Sequence, residues 1–284
     1  MSNGSQIKRI FKDYGLAPKK WLGQNLLVDS LYLNKIVQAA KVTSGETVVE
    51  VGAGLGVLTE ALVNRGAEVC ALEVDSGFYR VLQERFLNSP HVELIHADAL
   101  KYDFRSLAGR IGKLRVVANL PYNISSRLLF MFQENRDIFT SLHILLQKEV
   151  AERLTAEPGT KDYGMLTVLL GINASVELVF DIPPRAFFPA PEVVSTLVRV
   201  LFPDVPPFIV KDRRLLGHLV KASFAGRRKT LRNTLRNTPI PGIGAQALAK
   251  AANDAAIDLG RRGETLSPAE FVRFADAIKA WQEN

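Results

Sequence analysis

The chain of 284 residues has one cysteine, four histidines and two tryptophans. A single thiol, Cys70, excludes an intramolecular disulfide, and its β-branched surroundings read as a small buried residue in a strand. His91, His96, His143 and His218 are scattered without ligand spacing, so no structural metal is expected. No apolar run is long enough to cross a membrane. Met1 to Tyr14 lacks the apolar core of a signal peptide, which points to a cytoplasmic protein. Internal repeats and low-complexity tracts are absent. What is present is an ordinary globular composition, 47% hydrophobic, enough for one large and one small domain.

Acidic charge is scarce in two places. Residues 211–240 carry nine Lys or Arg against Asp212, a local charge of +8. Residues 1–24 carry five against Asp13, a charge of +4. The whole chain is +7, so the remainder is −5 and the basic excess is concentrated rather than spread. Arg227, Arg228, Lys229, Arg232 and Arg236 are expected on one helix, because Arg228, Arg232 and Arg236 are four apart. A solvated helix face is the bland reading of such a run. The local concentration favours contacts with RNA phosphates.

The motif with most chemical content is Glu50-Val51-Gly52-Ala53-Gly54-Leu55-Gly56. Glu46 to Val51 reads as a buried strand, and Leu58, Ala61 and Leu62 follow at helical spacing. The glycines therefore sit where a strand turns into a helix and backbone amides can face a ligand. Compared with the dinucleotide fingerprint, the third glycine comes one residue early and an acid precedes the first. That spacing favours S-adenosylmethionine over a pyrophosphate. A glycine-rich turn without a ligand is the alternative for this motif alone. Glu73 ends the next strand, about 20 residues on, where an acid can accept from two ribose hydroxyls. Asp98 follows a third apolar run and is placed to accept from the donor's adenine amino group. Either acid alone also reads as an ordinary carboxylate at a strand end.

Asn119-Leu120-Pro121-Tyr122 closes a fourth apolar run, Leu114 to Ala118. An exocyclic adenine amine is a poor nucleophile because its lone pair is delocalised into the ring. Accepting both its N–H groups, on the Asn119 amide oxygen and the Leu120 carbonyl, directs that lone pair towards a methyl donor. Pro121 stiffens the turn, and Tyr122 offers a face for a flipped base. On its own, Asn-x-Pro is also a common loop.

In this order the motifs resemble the KsgA-type small-subunit rRNA adenine dimethyltransferases, from about Leu16 to the C-terminus. The resemblance rests on Lys20-Trp21-Leu22-Gly23-Gln24-Asn25-Leu26-Leu27, Glu50 to Thr59, and Asn119 to Ser125. It continues through Gln147 to Arg153, Phe188-Pro189-Ala190-Pro191, and Phe224 to Leu235. It implies donor contacts from Asn25, Leu27, Gly52, Glu73, Asp98 and Asn119. It implies that Asn119, Leu120, Tyr122 and Phe188 hold the target adenine. The implied reaction dimethylates two adjacent adenines in a hairpin near the 3′ end of small-subunit rRNA, within an assembling 30S particle, by a monomer. Leu26 stands where the family usually has Phe, and Val194 where Asp is common. Rival readings are an Erm-type enzyme of large-subunit rRNA, a DNA or protein amino-group methyltransferase, and an RNA-binding assembly factor without catalysis. Asn-Leu-Pro-Tyr, the Gln147 to Arg153 segment and the basic Phe224 to Leu235 segment favour the small-subunit type over an Erm-type enzyme. A DNA or protein enzyme would more often carry Pro-Pro-Tyr. Intact Gly52, Glu73, Asp98, Asn119 and Tyr122 argue against loss of catalysis.

The expected fold is α/β. A Rossmann-like, doubly wound, mostly parallel seven-stranded sheet of the class I methyltransferase type fills residues 1–203. A smaller all-helical domain fills 204–284. Strands are expected to end near Val51, Val74, Ala97, Ala118 and Leu146, with two more near 175–180 and 195–202 forming an edge. Pro203, Pro206 and Pro207 mark the linker. Ser267-Pro268-Ala269-Glu270 is a capping box opening a terminal helix.

Overall fold

The structure, a computed structural model, describes residues 3–19, 22–226 and 228–283. Nine strands alternate with helices: β1 (Leu26–Leu27), β2 (Thr47–Val51), β3 (Glu68–Glu73), β4 (Val92–His96), β5 (Leu114–Asn119), β6 (Phe139–Gln147), β7 (Ser175–Ile182), β8 (Phe187–Phe188) and β9 (Ser195–Leu201). Seven of them form one sheet in the order β4-β3-β2-β5-β6-β9-β7. The pairs from β4 through β6 are parallel, and β9 runs antiparallel to β6. The sheet is therefore the expected mostly parallel one. Its edge has the later strand, β9, inserted inside β7. The order reverses at β2 and β5, so the ends of these two strands open a crevice at the point where ligands bind in such sheets.

Val48, Val49, Val116, Val117, Leu142 and Ile144 are buried on both faces of the central strands. This is why those strands read as continuous apolar runs rather than alternating ones. Three helices go beyond the sequence expectations. Asn3–Asp13 buries Ile7 and Phe11 against Leu55, Phe78 and Val81. Ser30–Ala39 is capped by Asp29, whose side chain accepts from the Leu31 N–H. Phe104–Ile111 is capped by Asp103 and stopped at Gly112.

The chain divides into two compact units. The first holds residues 1–151 and 177–202, and the second holds 152–176 and 203–284. A division at residue 203 alone would assign 152–176 to the sheet domain. Instead Tyr163, Val168 and Ile172 join the core of Leu215, Leu219, Leu231, Phe271 and Ile278. The Tyr163 hydroxyl donates to the Leu266 carbonyl at 2.8 Å within that core. Helices Met165–Asn173, Arg213–Ser223, Leu231–Asn237, Ala245–Asp254 and Pro268–Gln282 make up this unit. The Ser267 capping box forms as expected, with the Ser267 N–H donating to Glu270 at 2.8 Å.

Among the described residues no helix is long and apolar enough to cross a membrane.

Candidate active site and nucleic-acid interface

The crevice at the strand ends is a narrow cavity of about 70 Å3. Gly52, Gly54, Glu73, Asp98, Asn119, Leu120 and Tyr122 all line it, together with Asn25 from the N-terminal segment. Leu27 does not. It is buried and lines a smaller void beside Glu50, Gly52 and Asn119.

Backbone geometry explains the glycines. Gly52 and Gly54 have φ of 75° and 61°, in the left-handed region that glycine tolerates best. A Cβ on Gly54 would stand 2.7 Å from Leu26, so the loop and the N-terminal segment approach closely. The N–H groups of Gly52 and Ala53 both donate to the Leu72 carbonyl, which ties the loop to β3.

Glu73 fixes the same loop from its side chain. One carboxylate oxygen accepts from the Gly54 N–H at 2.7 Å. The other accepts from the N–H groups of Val74 and Asp75 at 2.9 and 2.8 Å. Burial pushes the Glu73 carboxyl up, against the pull of these hydrogen bonds. Glu50, fully buried one strand over, accepts from the Thr59 hydroxyl at 2.6 Å. Burial carries its pKa up to about 8, helped by the nearby charge of Glu73. Two acids thus share a low-dielectric wall beside the cavity, where a cationic ligand lowers the cost of ionising both. Asp98 is more open and accepts from the Leu100 N–H at 3.0 Å.

The amine clamp is held from two directions. The Asn119 amide nitrogen donates to the Asn25 carbonyl at 2.7 Å. The nitrogen is committed to protein, which leaves the amide oxygen as the acceptor. The Tyr122 hydroxyl hydrogen-bonds Ser195 on β9. That bond fixes the ring at its far end, and burial pushes the phenol pKa up.

Beside the clamp lies a wider recess of about 340 Å3. It is lined by Pro18, Gly23, Gln24, Asn25, Tyr122, Gln147 and the run Pro189 to Val193. It shares Gly23, Gln24, Asn25 and Tyr122 with the narrow cavity, so the two meet at Tyr122. Phe188 lines neither. It pairs with Leu26 in the short β1–β8 ladder, and its ring lies 5.8 Å from that of Phe11. Gln147 is a lining residue that the sequence expectations do not include among the site residues. Its signals are its position at the end of β6, like that of Glu73 on β3, and its place at the head of the Gln147–Arg153 segment that carries the family resemblance.

The segment over the cavity is latched. Lys19 Nζ lies 2.6 Å from an Asp75 oxygen, and Asp75 also caps helix Ser76–Arg85. Burial pushes the Asp75 carboxyl up, but Lys19 and the N–H groups of Phe78 and Gly77 outweigh it and hold it below its ordinary value. One of the basic N-terminal side chains is therefore spent on an intramolecular ion pair, Lys19 being exposed and Asp75 buried.

The basic face of the second unit differs from expectation. Arg227 lies outside the described residues. Arg228 and Lys229 stand in a turn, with the Lys229 N–H donating to Gly226, and the helix starts only at Leu231. Only Arg232 and Arg236 share its face. Gly226 favours the turn, and extended Thr230 caps the start of the helix, so among the described residues Arg228 and Lys229 do not share the helix of Arg232 and Arg236. Among the described residues, no acid pairs with Arg228, Lys229, Arg232 or Arg236, and Arg232 and Arg236 are exposed.

The family model for "Ribosomal RNA adenine dimethylase" matches residues 16–277. A protein of Geobacter metallireducens named "Ribosomal RNA small subunit methyltransferase A" is 41% identical over 268 residues, covering 94% of this chain and 97% of that one. Its namesake from Syntrophus aciditrophicus is 38% identical over 274 residues, covering 96% and 98%. Among solved structures, a dimethyladenosine transferase from Plasmodium falciparum superposes with a TM-score of 0.70 at 25% identity, covering 88% of this chain and 95% of that one. The 23S rRNA methyltransferase ErmE superposes with a TM-score of 0.65 at 23% identity, covering 90% and 100%, a likeness of fold.

Proposed function

Because this chain belongs to the ribosomal RNA adenine dimethylase family, we propose that it dimethylates two adjacent adenines in the 3′-terminal hairpin of small-subunit rRNA. It is an rRNA adenine dimethyltransferase, and S-adenosylmethionine is its methyl donor. The finer reading is a cytoplasmic monomer acting on an assembling 30S particle, in a step of ribosome biogenesis. The single observation that carries the residue roles is the commitment of the Asn119 amide nitrogen to Asn25.

Bound S-adenosylmethionine supplies an electrophilic methyl group on a cationic sulfur. The cavity lining suits it. Gly52 and Gly54 allow close backbone approach, and Leu72, Val74, Ala97 and Phe78 give apolar walls. Glu73 accepts three N–H bonds, and a carboxylate has about four lone-pair positions, so capacity remains for ribose hydroxyls. Asp98 accepts from the donor's adenine amine. A void of about 70 Å3 is nonetheless smaller than the ~300 Å3 at the lower end of ligand sites.

Asn119 Oδ1 and the Leu120 carbonyl accept the two N–H groups of the target amine. With the donor bound, the lone pair so directed would face its methyl group. The carbon–sulfur bond would break as the carbon–nitrogen bond forms, and the sulfur would leave as a neutral thioether. The cationic amine would then lose its proton to water without a strong base. Tyr122, pinned by Ser195, stacks on the flipped base. Phe188, which lines neither cavity, acts on the target adenine only by anchoring the chain that runs on into Pro189 and Pro191 at the recess. Arg228, Lys229, Arg232, Arg236 and Arg227 hold RNA phosphates.

Incubating unmodified small-subunit particles with the protein and S-adenosylmethionine, then mapping the rRNA by mass, tests this reading. Two adjacent N6,N6-dimethyladenosines are expected. Modification of large-subunit rRNA instead, or particle binding without methyl transfer, overturns it.

A further inference from the structure

Beside the uncommitted arginines lies a groove that the methyl-transfer reaction does not use. It measures about 440 Å3, within the ~300–1,000 Å3 of small-molecule sites. Arg232 and Arg236 stand on helix Leu231–Asn237 along one side. The opposite side is the first turns of helix Ala245–Asp254, with Ala245, Leu248 and Ala249. Leu235, Ile240, Ile243 and Leu259 complete an apolar lining, and no acidic side chain is part of it. Ile240 and Leu235 are buried in the unit's core, so this lining is rigid where it meets that core.

Two cations without acidic partners beside an apolar slot suit one kind of occupant. It must carry negative charge at one end and an apolar body at the other. A single unstacked nucleotide has this form, its phosphates reaching Arg232 and Arg236 and its base lying between aliphatic side chains. A guanidinium plane can also cover a base face. We propose that this groove is a second nucleotide site, one that lodges an unpaired base of bound RNA and does no chemistry. The proposal rests on the reading that Arg228–Arg236 faces RNA, and it goes further by giving the base, not only the phosphate, a place. No polar side chain other than the two arginines lines the groove, so it accepts any base.

The test uses the full chain and two probes. One is a ten-nucleotide oligouridylate, and the other is the same ribose-phosphate backbone without bases. Three proteins are compared: wild type, Ala249→Phe, and Arg232→Ala with Arg236→Ala. Ala249 is exposed on its helix, so a phenyl ring there fills the groove without entering the core. Wild type should bind oligouridylate about fivefold or more tighter than the abasic chain, the least that burying one base contributes. Ala249→Phe should lose that preference while keeping the wild-type salt slope. The double arginine variant should show a reduced salt slope with both probes. If Ala249→Phe keeps the full preference for oligouridylate, no base enters the groove and the proposal fails, even where the arginine variant still flattens the slope. If the arginine variant keeps the wild-type slope, the RNA-facing reading itself fails. If Ala249→Phe binds oligouridylate normally but loses binding to small-subunit particles, the groove takes a protein segment, and the nucleotide assignment falls.

Discussion

The cavity at the strand ends and the basic face of the second unit handle polar groups in opposite ways. In the cavity the principal polar side chains are already engaged. Glu73 holds three backbone N–H groups, Asn119 holds Asn25, and Tyr122 holds Ser195. On the basic face, Arg232 and Arg236 are exposed and meet no acid among the described residues. Engaged groups cost nothing further to orient, which is what positioned chemistry needs. Uncommitted, solvated cations lose little on meeting phosphates and tolerate many geometries, which suits an anchor. The same residue types would do poorly if the two arrangements were exchanged.

Breaking the engaged region should have the larger consequences. Asn119→Ala removes the directed acceptor and should lower turnover by roughly 10²–10³-fold, the usual loss for one preorganised polar group. Donor binding should fall far less, and calorimetry with S-adenosylmethionine separates the two. Glu73→Ala should weaken donor binding by about 1.5–3 kcal/mol. It also strands the N–H groups of Gly54, Val74 and Asp75, so its unfolding midpoint should drop even without donor. A Glu73→Ala protein with wild-type donor affinity would remove that residue from the donor site.

Changes to the uncommitted region should be graded instead. Arg228→Ala with Arg232→Ala and Arg236→Ala should reduce the salt slope of RNA binding by roughly 0.7–0.9 for each phosphate no longer neutralised. Donor affinity should stay put. Equal slopes for the two proteins would return these side chains to being a solvated face.

The smallest effect sharpens the contrast through pH. The Glu50 carboxyl is held up to about 8 in the folded protein, against an ordinary value near 4.5. Between these values the folded state keeps a proton that the unfolded state releases, so stability should fall as pH rises through that window. Glu50→Gln should flatten that decline in a series of thermal melts from about pH 5 to 8. Buried His143, held down to about 4, contributes the opposite slope below about 6.5, so the difference between the two proteins is what reports Glu50. Identical pH dependence in both would mean Glu50 is ionised in the fold.

Much of the site is legible in the sequence because it lies at strand ends. Gly52, Glu73, Asp98 and Asn119 each follow a β-branched or apolar run, and period and position suffice to bring them together. Helix Asn3–Asp13 is not expected from the sequence, because the basic charges of the segment mask the apolar stripe of Ile7, Ile10 and Phe11. The packing of residues 152–176 into the second unit depends on helices fifty to a hundred residues later, which no local pattern encodes. The break before Leu231 is hidden for another reason. Arginines four apart mimic a helix, and the turn at Gly226 to Lys229 outweighs that spacing. The ring of Phe188 turning to Phe11 is likewise a tertiary choice.

The most direct measurement counts N6,N6-dimethyladenosine by mass spectrometry in unmodified small-subunit particles, with donor and RNA both saturating. Wild type, Asn119→Ala and the triple arginine variant are run side by side. The expected result is two modified adenines per particle from wild type and from the arginine variant, and almost none from Asn119→Ala although it still binds donor. Full modification by Asn119→Ala, or absence of modification by the arginine variant at saturating RNA, would contradict the division between a pocket that does the chemistry and a face that holds the RNA.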